Sequence, residues 1–98
     1  MRSHAEVVTA GADSLVRRLA ADLAAAEPAG QVVEEAGWTV LRIVGGSCAV
    51  TGTGDAVILD AEAADAQTLE RLQAVVGEHL ERLAASEGLR VRWGAPQP

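Results

Sequence analysis

The chain has 98 residues, of which 49% are apolar, and it contains no Phe or Tyr. This length is enough for one domain with a modest core, which Leu, Val, Ile, Ala and two Trp must fill. Fourteen acidic residues against eight basic ones, all arginine, give a formal charge of −6, which excludes general attraction to nucleic acid or to anionic membranes.

The N-terminal residues predict a short strand. Ala5, Val7 and Thr9 fall on one side of a strand-like alternation, and a turn or helix start follows at Thr9 or Asp13. The same stretch lacks the apolar core of a signal peptide, and no apolar run in the chain approaches the ~20 residues that span a membrane. We therefore expect a cytoplasmic location.

A first helix is predicted next. Its apolar residues recur at steps of three and four along the chain: Leu15, Val16, Leu19, Ala20 and Leu23. Arg17 and Arg18 lie on the opposite, solvent side, and Pro28 ends the helix because proline cannot donate to the hydrogen-bond ladder.

Four apolar stretches follow between residues 31 and 63, and turn signals separate them at Ala36-Gly37, Gly45-Gly46 and Gly54-Asp55. Each separator is short enough for a hairpin turn. The simplest prediction is an antiparallel meander of four strands.

A second, longer amphipathic helix is predicted from Asp65 to Gly88. Asp65 suits the N-cap because its carboxylate can accept from the free N–H groups of the first turn, and Gly88 can adopt the positive φ that ends a helix. The apolar stripe comprises Leu69, Leu72, Val76, Leu80 and Leu83. Residues 89–93 then alternate apolar and charged, which predicts a closing strand, and residues 94–98 are predicted to form a flexible tail.

These elements predict one α+β domain over residues 1–93, in the order β-α-β-β-β-β-α-β. Two helices with one apolar stripe each can cover one face of a mainly antiparallel sheet, which gives a two-layer sandwich. The uncovered face would carry either Trp38 or Leu41 with its neighbours, because these two residues lie on opposite faces of one strand. That face is a candidate for a homodimer, a protein partner or a small-molecule ligand.

Four motifs, taken in order, resemble those of a known family. They are Gly46-Ser-Cys48, Ala61-Glu-Ala-Ala-Asp65, Leu69-x-x-Leu72-x-x-Val75-Val76-x-x-His79-Leu80-Glu81-Arg82, and Glu87-x-Leu89-x-Val91-x-Trp93. Over residues 5–93 the chain resembles the bacterial domain-of-unknown-function family numbered 2218. The resemblance implies a compact α+β fold similar to the C-terminal domain of phosphohexomutases. It also implies an iron-uptake setting, since many members sit beside, or are fused to, siderophore-interacting flavoprotein reductases.

The chain departs from this family at most of the family's polar positions. Members usually carry Tyr at the position of Leu15, His at Asp22, and a His-Lys pair at Ala25 and Ala26. That polar cluster is mostly missing here, which leaves His79 and Cys48 to be weighed as site residues.

His79 is the first candidate. Its helical position places the ring at the margin between core and water, and Asp22 lies at the edge of the first helix's stripe. If the helices lie side by side, the carboxylate could orient the imidazole for acid–base catalysis or metal binding. A marginal histidine is more often a structural hydrogen-bonding residue.

Cys48 is predicted to be a small buried apolar residue, not a nucleophile. A metal site from His4, Cys48 and His79 would need three distant segments to converge, so no metal is predicted. Gly52 and Gly54 lack the remainder of a dinucleotide fingerprint, and no cofactor is predicted.

The residues favour a non-enzymatic accessory or ligand-binding domain, connected by resemblance with siderophore or iron handling. Two alternatives stay open. One is a small enzyme or metal-dependent catalyst that uses His79 with a carboxylate, and the other is an interaction module for a reductase or biosynthetic partner.

Overall fold

The computed structural model describes residues 1–26, 30–35 and 37–97. The elements are β1 (Arg2–Val8), α1 (Ala12–Ala26), β2 (Gln31–Glu35), β3 (Trp38–Ile43), β4 (Gly46–Gly52), β5 (Ala56–Glu62), α2 (Ala66–Leu83) and a 3-10 turn (Ala85–Glu87). Pro28 and Ala36, which were predicted to end the first helix and to open the first hairpin turn, lie outside the described residues. None of the helices in the described ranges has the length and apolar character needed to cross a bilayer.

The strands form one antiparallel sheet in the order β1-β5-β4-β3-β2. Strands β2 to β5 are consecutive neighbours, which confirms the predicted meander. Strand β1 pairs with β5 over its whole length, so the first strand of the chain lies beside the last strand of the meander. Both helices contact the same sheet, and the predicted α+β fold is confirmed.

The apolar stripes of both helices pack against one face of the sheet. Fully buried side chains come from α1, from α2 and from the strands beneath them: Leu19, Leu23, Leu69, Leu72, Val76, Leu80, Leu41, Val50, Val57 and Leu59. Burying one such side chain contributes about 1.5–3 kcal/mol, so this layer supplies most of the driving force for folding. The spacing of apolar residues therefore predicted correctly which face of each helix is buried.

Helix α2 begins as predicted and ends earlier than predicted. The Asp65 Oδ1 atom accepts a hydrogen bond from the Thr68 N–H at 2.7 Å, which satisfies a free donor of the first turn. The α-helix stops at Leu83, and the 3-10 turn carries the chain to Gly88, whose φ of 67° lies in the left-handed region. The chain tightens into this turn because carbonyl groups there accept hydrogen bonds from N–H groups three residues later, instead of four as in an α-helix.

The closing strand predicted at residues 89–93 does not form, and this prediction was wrong. Leu89, Val91 and Trp93 do pack against the core, as the alternation requires. The Val91 N–H, however, donates to Glu81 Oε2 on α2 at 2.8 Å and not to a neighbouring strand. Alternation predicts which side chains turn inward, but it does not determine where the backbone hydrogen bonds go.

The C-terminal segment reaches the sheet only after Trp93. The Gly94 N–H donates to the His4 carbonyl oxygen at 2.8 Å, and Gln97 exchanges backbone hydrogen bonds with Arg2. Residues 94–97 therefore run along the outer edge of β1. Whether the tail is flexible in solution stays a prediction.

Candidate functional site

Asp22 and His79 lie side by side where α1 packs against α2. The His79 Nδ1 atom lies 2.5 Å from Asp22 Oδ2, and their side chains are 14% and 38% exposed respectively. One turn along, the Arg18 guanidinium donates to the Leu83 carbonyl oxygen at 3.4 Å and links the same two helices. The contact predicted from the helical positions is therefore present, whereas a catalytic role for it stays a prediction.

The chemistry of this pair follows from what a carboxylate can do. An ionised Asp22 can only accept, so we place the proton of a neutral His79 ring on Nδ1. The Nε2 atom then carries the lone pair and can accept a proton or bind a single metal ion. The grooves on the sheet face and beside α2 are lined by other residues. In the described ranges, no group of three or more His, Cys, Asp or Glu residues is close enough to hold a metal ion.

Cys48 lies on the opposite side of the sheet from His4. Cys48 pairs with Ala61 beneath the helices, whereas His4 pairs with Asp60 on the other face. The Cys48 side chain is fully buried, and this burial raises the pKa of its thiol to about 12, so the thiol stays protonated at neutral pH. The predicted role of Cys48 as a buried apolar residue fits this environment, and the fold does not bring the three potential metal ligands together.

The second candidate region is the face of the sheet opposite the helices, which we call the open face. Three rows of side chains cross it from β2 to β1. The valine row is Val33, Val40, Ala49, Asp60 and His4. The tryptophan row is Glu35, Trp38, Thr51, Ile58 and Glu6. The arginine row is Gln31, Arg42, Ser47, Glu62 and Arg2.

The centre of the open face is apolar and its margins are charged. Trp38, Val40, Ala49 and Ile58 are half-buried on this face, where Val40 pairs with Ala49, although no helix or strand of the described chain covers them. Trp38 and Val40 also line a groove of about 340 Å³. Leu41, the other residue considered for this face, is buried under the helices.

Ion pairs hold the charged margin in place. The Arg2 guanidinium donates to Glu62 at 2.8 Å, which lowers the pKa of the Glu62 carboxyl and raises the pKa of Arg2. On the other side, Arg42 lies 3.9 Å from Glu35. Both pairs are exposed, so their effect on stability is small and they remain available to a partner.

Some contacts in the structure were not predicted from the sequence. The contact of Glu81 with the Val91 backbone has no local signal, because ten residues and a helix end separate the two positions. Pairing of β1 with β5, which brings Arg2 beside Glu62, joins residues 60 apart. The positions of the hairpin turns would have been enough to predict which residues of β2 to β5 share a row.

Comparison with known proteins supports the fold and assigns no activity. A family model described as "Uncharacterized protein conserved in bacteria (DUF2218)" matches residues 4–94. The NMR structure of PA4090 from Pseudomonas aeruginosa is 26% identical, with a TM-score of 0.78 over 99% of this chain and 98% of that chain. No curated protein matches. A likeness to the phosphohexomutase C-terminal domain stays a prediction. Since the family model spans nearly the whole chain, this protein belongs to the DUF2218 family of uncharacterised bacterial proteins.

Proposed function

We propose that this chain is a non-enzymatic accessory domain that binds a protein through its open face. The observation that carries the proposal is the uncovered apolar centre formed by Trp38, Val40, Ala49 and Ile58 inside a charged margin. Apolar patches rimmed by polar residues are typical of protein interfaces, and Trp at the centre of such a patch commonly supplies much of the binding energy.

The proposed setting is iron or siderophore handling in the cytoplasm. Its support is the resemblance alone, since members of the family commonly sit beside siderophore-interacting flavoprotein reductases. The acidic character of the chain, with a formal charge of −6, would favour a partner with a basic surface. A small-molecule ligand such as a ferric siderophore is a further occupant to be tested.

Isothermal titration calorimetry tests this proposal with two probes: a purified siderophore-interacting flavoprotein reductase and a ferric hydroxamate complex. Trp38→Ser should abolish the binding of whichever probe uses the open face. Val32→Ser is the matched control, because Val32 is an exposed apolar residue 38% accessible that pairs with Leu41 on the other side of the sheet. Equal binding by both variants would argue against the open face as the binding surface. Failure of both probes to bind would remove the iron-related setting.

A second candidate function is favoured by the Asp22–His79 contact. A histidine oriented by a carboxylate is the common core of acid–base and metal-dependent catalysts. Calorimetric titration with Zn²⁺ and with Fe²⁺ tests it, with His79→Ala as the control. Metal binding by the wild type that disappears in His79→Ala would favour catalysis, whereas identical titrations would leave the pair a structural link between the helices.

A further inference from the structure

A two-fold rotation can bring Arg2 of one chain against Glu6 of another and Arg42 against Trp38, and we propose that a second copy of this chain covers the open face. This inference rests on the proposed function, because it names the occupant of the same surface. It commits to a two-fold axis that runs along the valine row, across the strands.

The rotation brings the arginine row of one copy over the tryptophan row of the other. Arg2 then faces the Glu6 position of the second copy at the β1 edge, and Arg42 faces its Trp38 with Glu35 beside it. An arginine over an indole ring is a favourable cation–π arrangement, and the Arg2–Glu6 contact joins opposite charges. Both arginines are more than half exposed in the single chain, so they can reach a partner.

The same rotation brings the apolar centres of the two copies together, and it places Glu62 over Ile58 at the edge of that centre. Residues of the valine row lie on the axis, so Val33, Val40 and Ala49 meet their own copies and form a dry central strip. Asp60 also lies in this row, and like charges would approach there. Its carboxylate lies 4.0 Å from Arg2 of the same chain and beside His4, which offsets that repulsion.

A second two-fold axis, parallel to β4, gives a different set of contacts. It would place Glu35 of one copy opposite Glu6 of the other and Val40 opposite Asp60, and it would also pair Arg42 with Glu62 and Trp38 with Ile58. Like charges placed opposite each other, and a charge buried against an apolar side chain, both weaken an interface. Of the two axes, the axis along the valine row alone brings Arg2 against Glu6, so a double-mutant cycle on these two residues distinguishes them.

The size of the face sets the strength of the dimer. Strand spacing of about 4.8 Å and a rise of about 3.3 Å per residue give a face of about 20 Å by 15 Å, or roughly 300 Å² in projection. Stable complexes bury about 800 Å² per partner. We therefore expect a weak, concentration-dependent dimer and not a permanent one.

Sedimentation velocity on a double-mutant cycle tests both the dimer and its axis. Arg2→Glu and Glu6→Arg should each weaken association roughly three- to tenfold, since each change acts at two symmetry-related contacts. The double variant should associate more tightly than Arg2→Glu alone, with recovery limited because Arg2 also pairs with Glu62 and Asp60 of its own chain. Within one chain these residues are four apart on one strand, about 13 Å from each other, so any coupling arises between copies.

A cross-linking measurement checks the face without altering its charges. Ala49→Cys places a thiol on the proposed axis, and mild oxidation should join two chains rapidly. Ala21→Cys, exposed on α1, is the matched control for random collision, and Cys48 stays buried on the opposite side. A rate for Ala49→Cys no greater than that for Ala21→Cys would overturn the proposal, as would a monomer at all concentrations or a double variant that associates no more tightly than Arg2→Glu.

These outcomes also separate the dimer from the proposed function. If the chain is monomeric while Trp38→Ser still abolishes binding of the flavoprotein reductase, the second copy is wrong as the occupant and the accessory function stands. If the chain is monomeric and Trp38→Ser binds both probes as the wild type does, both proposals fail.

Discussion

At the scale of single residues, the contact with Asp22 favours the Nδ1–H tautomer of a neutral His79 ring. The carboxylate accepts from Nδ1 across 2.5 Å, and the ring is only 14% exposed, so it has little freedom to find another partner. This arrangement links α1 to α2 whether or not the free Nε2 atom has a chemical role.

We expect Asp22→Ala to shift the neutral His79 ring from the Nδ1–H form towards a mixture of both tautomers. The ¹⁵N chemical shifts of the two ring nitrogens measure this directly. Asp13→Ala, which removes an exposed carboxylate at the other end of α1, is the control and should leave the His79 ring unchanged. Identical ring shifts in the wild type and Asp22→Ala would show that the contact does not persist in solution.

Gly46 is a residue whose lack of a side chain is required by packing. A Cβ atom there would lie 2.8 Å from the Glu62 backbone oxygen, closer than real contacts allow, and 3.0 Å from Leu72 Cδ2, which is a tight contact. We therefore expect Gly46→Ala to lower the free energy of unfolding by about 1–3 kcal/mol, as overpacked core positions do. Gly11→Ala is the control, since a Cβ there would meet nothing within 4 Å. Urea unfolding measures both, and equal midpoints for the two variants would contradict this account of the packing.

At the scale of elements, Glu81 holds the C-terminal segment against α2. Its carboxylate accepts from the Val91 N–H at 2.8 Å, while Val91 and Trp93 pack beside Gly77, where the helix has no side chain. The indole nitrogen of Trp93 would lie 3.5 Å from a Cβ at Gly77. Helix α2 therefore takes the place of a neighbouring strand for this part of the chain.

We expect Glu81→Ala to cost about 1–2 kcal/mol of stability, because it leaves the Val91 N–H without its charged acceptor. Hydrogen–deuterium exchange should show faster exchange at residues 89–97 and little change in β4 and β5. Glu78→Ala removes an exposed charge from the same groove and should leave that segment protected. Uniform exchange changes across the molecule in Glu81→Ala would count against a local role.

The elements also show how far the sequence alone could predict this molecule. Helix periods and hairpin signals predicted the two helices, the meander and the buried faces, because those patterns depend on local spacing. The helical positions of Asp22 and His79 indicated a contact only on the condition that the two helices lie side by side, which the sequence did not establish. The partner of β1, the missing closing strand and the role of Glu81 depend on which backbone groups meet across the whole chain, and no local pattern carries that information.

At the scale of the whole molecule, ionisable groups predict how stability changes at low pH. Hydrogen bonds from Arg2 and from the Thr68 N–H lower the pKa of Glu62 and of Asp65 below their ordinary values of 4.5 and 3.8. The stability that these carboxylates contribute is fully present above their ordinary pKa values and is lost as the pH falls through the lowered ones. The difference in urea midpoint between the wild type and Asp65→Ala should therefore shrink below about pH 4. A difference in urea midpoint that stays constant down to pH 2 would show that ionisation of Asp65 does not contribute to stability.

The Cys48 thiol predicts how stability changes at high pH. Burial raises the pKa of its thiol from 9.0 to about 12, so its contribution to stability is complete below pH 9 and falls as the pH rises from there towards 12. Cys48→Ala should be less stable at neutral pH and show a flatter alkaline limb than the wild type. Parallel alkaline limbs in the two proteins would exclude the thiol as the cause.

The open face is the surface through which we expect this molecule to act and on which we expect two copies to meet. The most direct measurement follows ¹H–¹⁵N NMR spectra of the wild type over about a hundredfold dilution, which spans a weak dimer equilibrium. We expect the Trp38 indole signal and the amides of Val40, Ala49 and Ile58 to move together with concentration, while the amides of α1 and α2 stay fixed. A spectrum that does not change on dilution, or changes confined to the helices, would contradict a dimer through the open face.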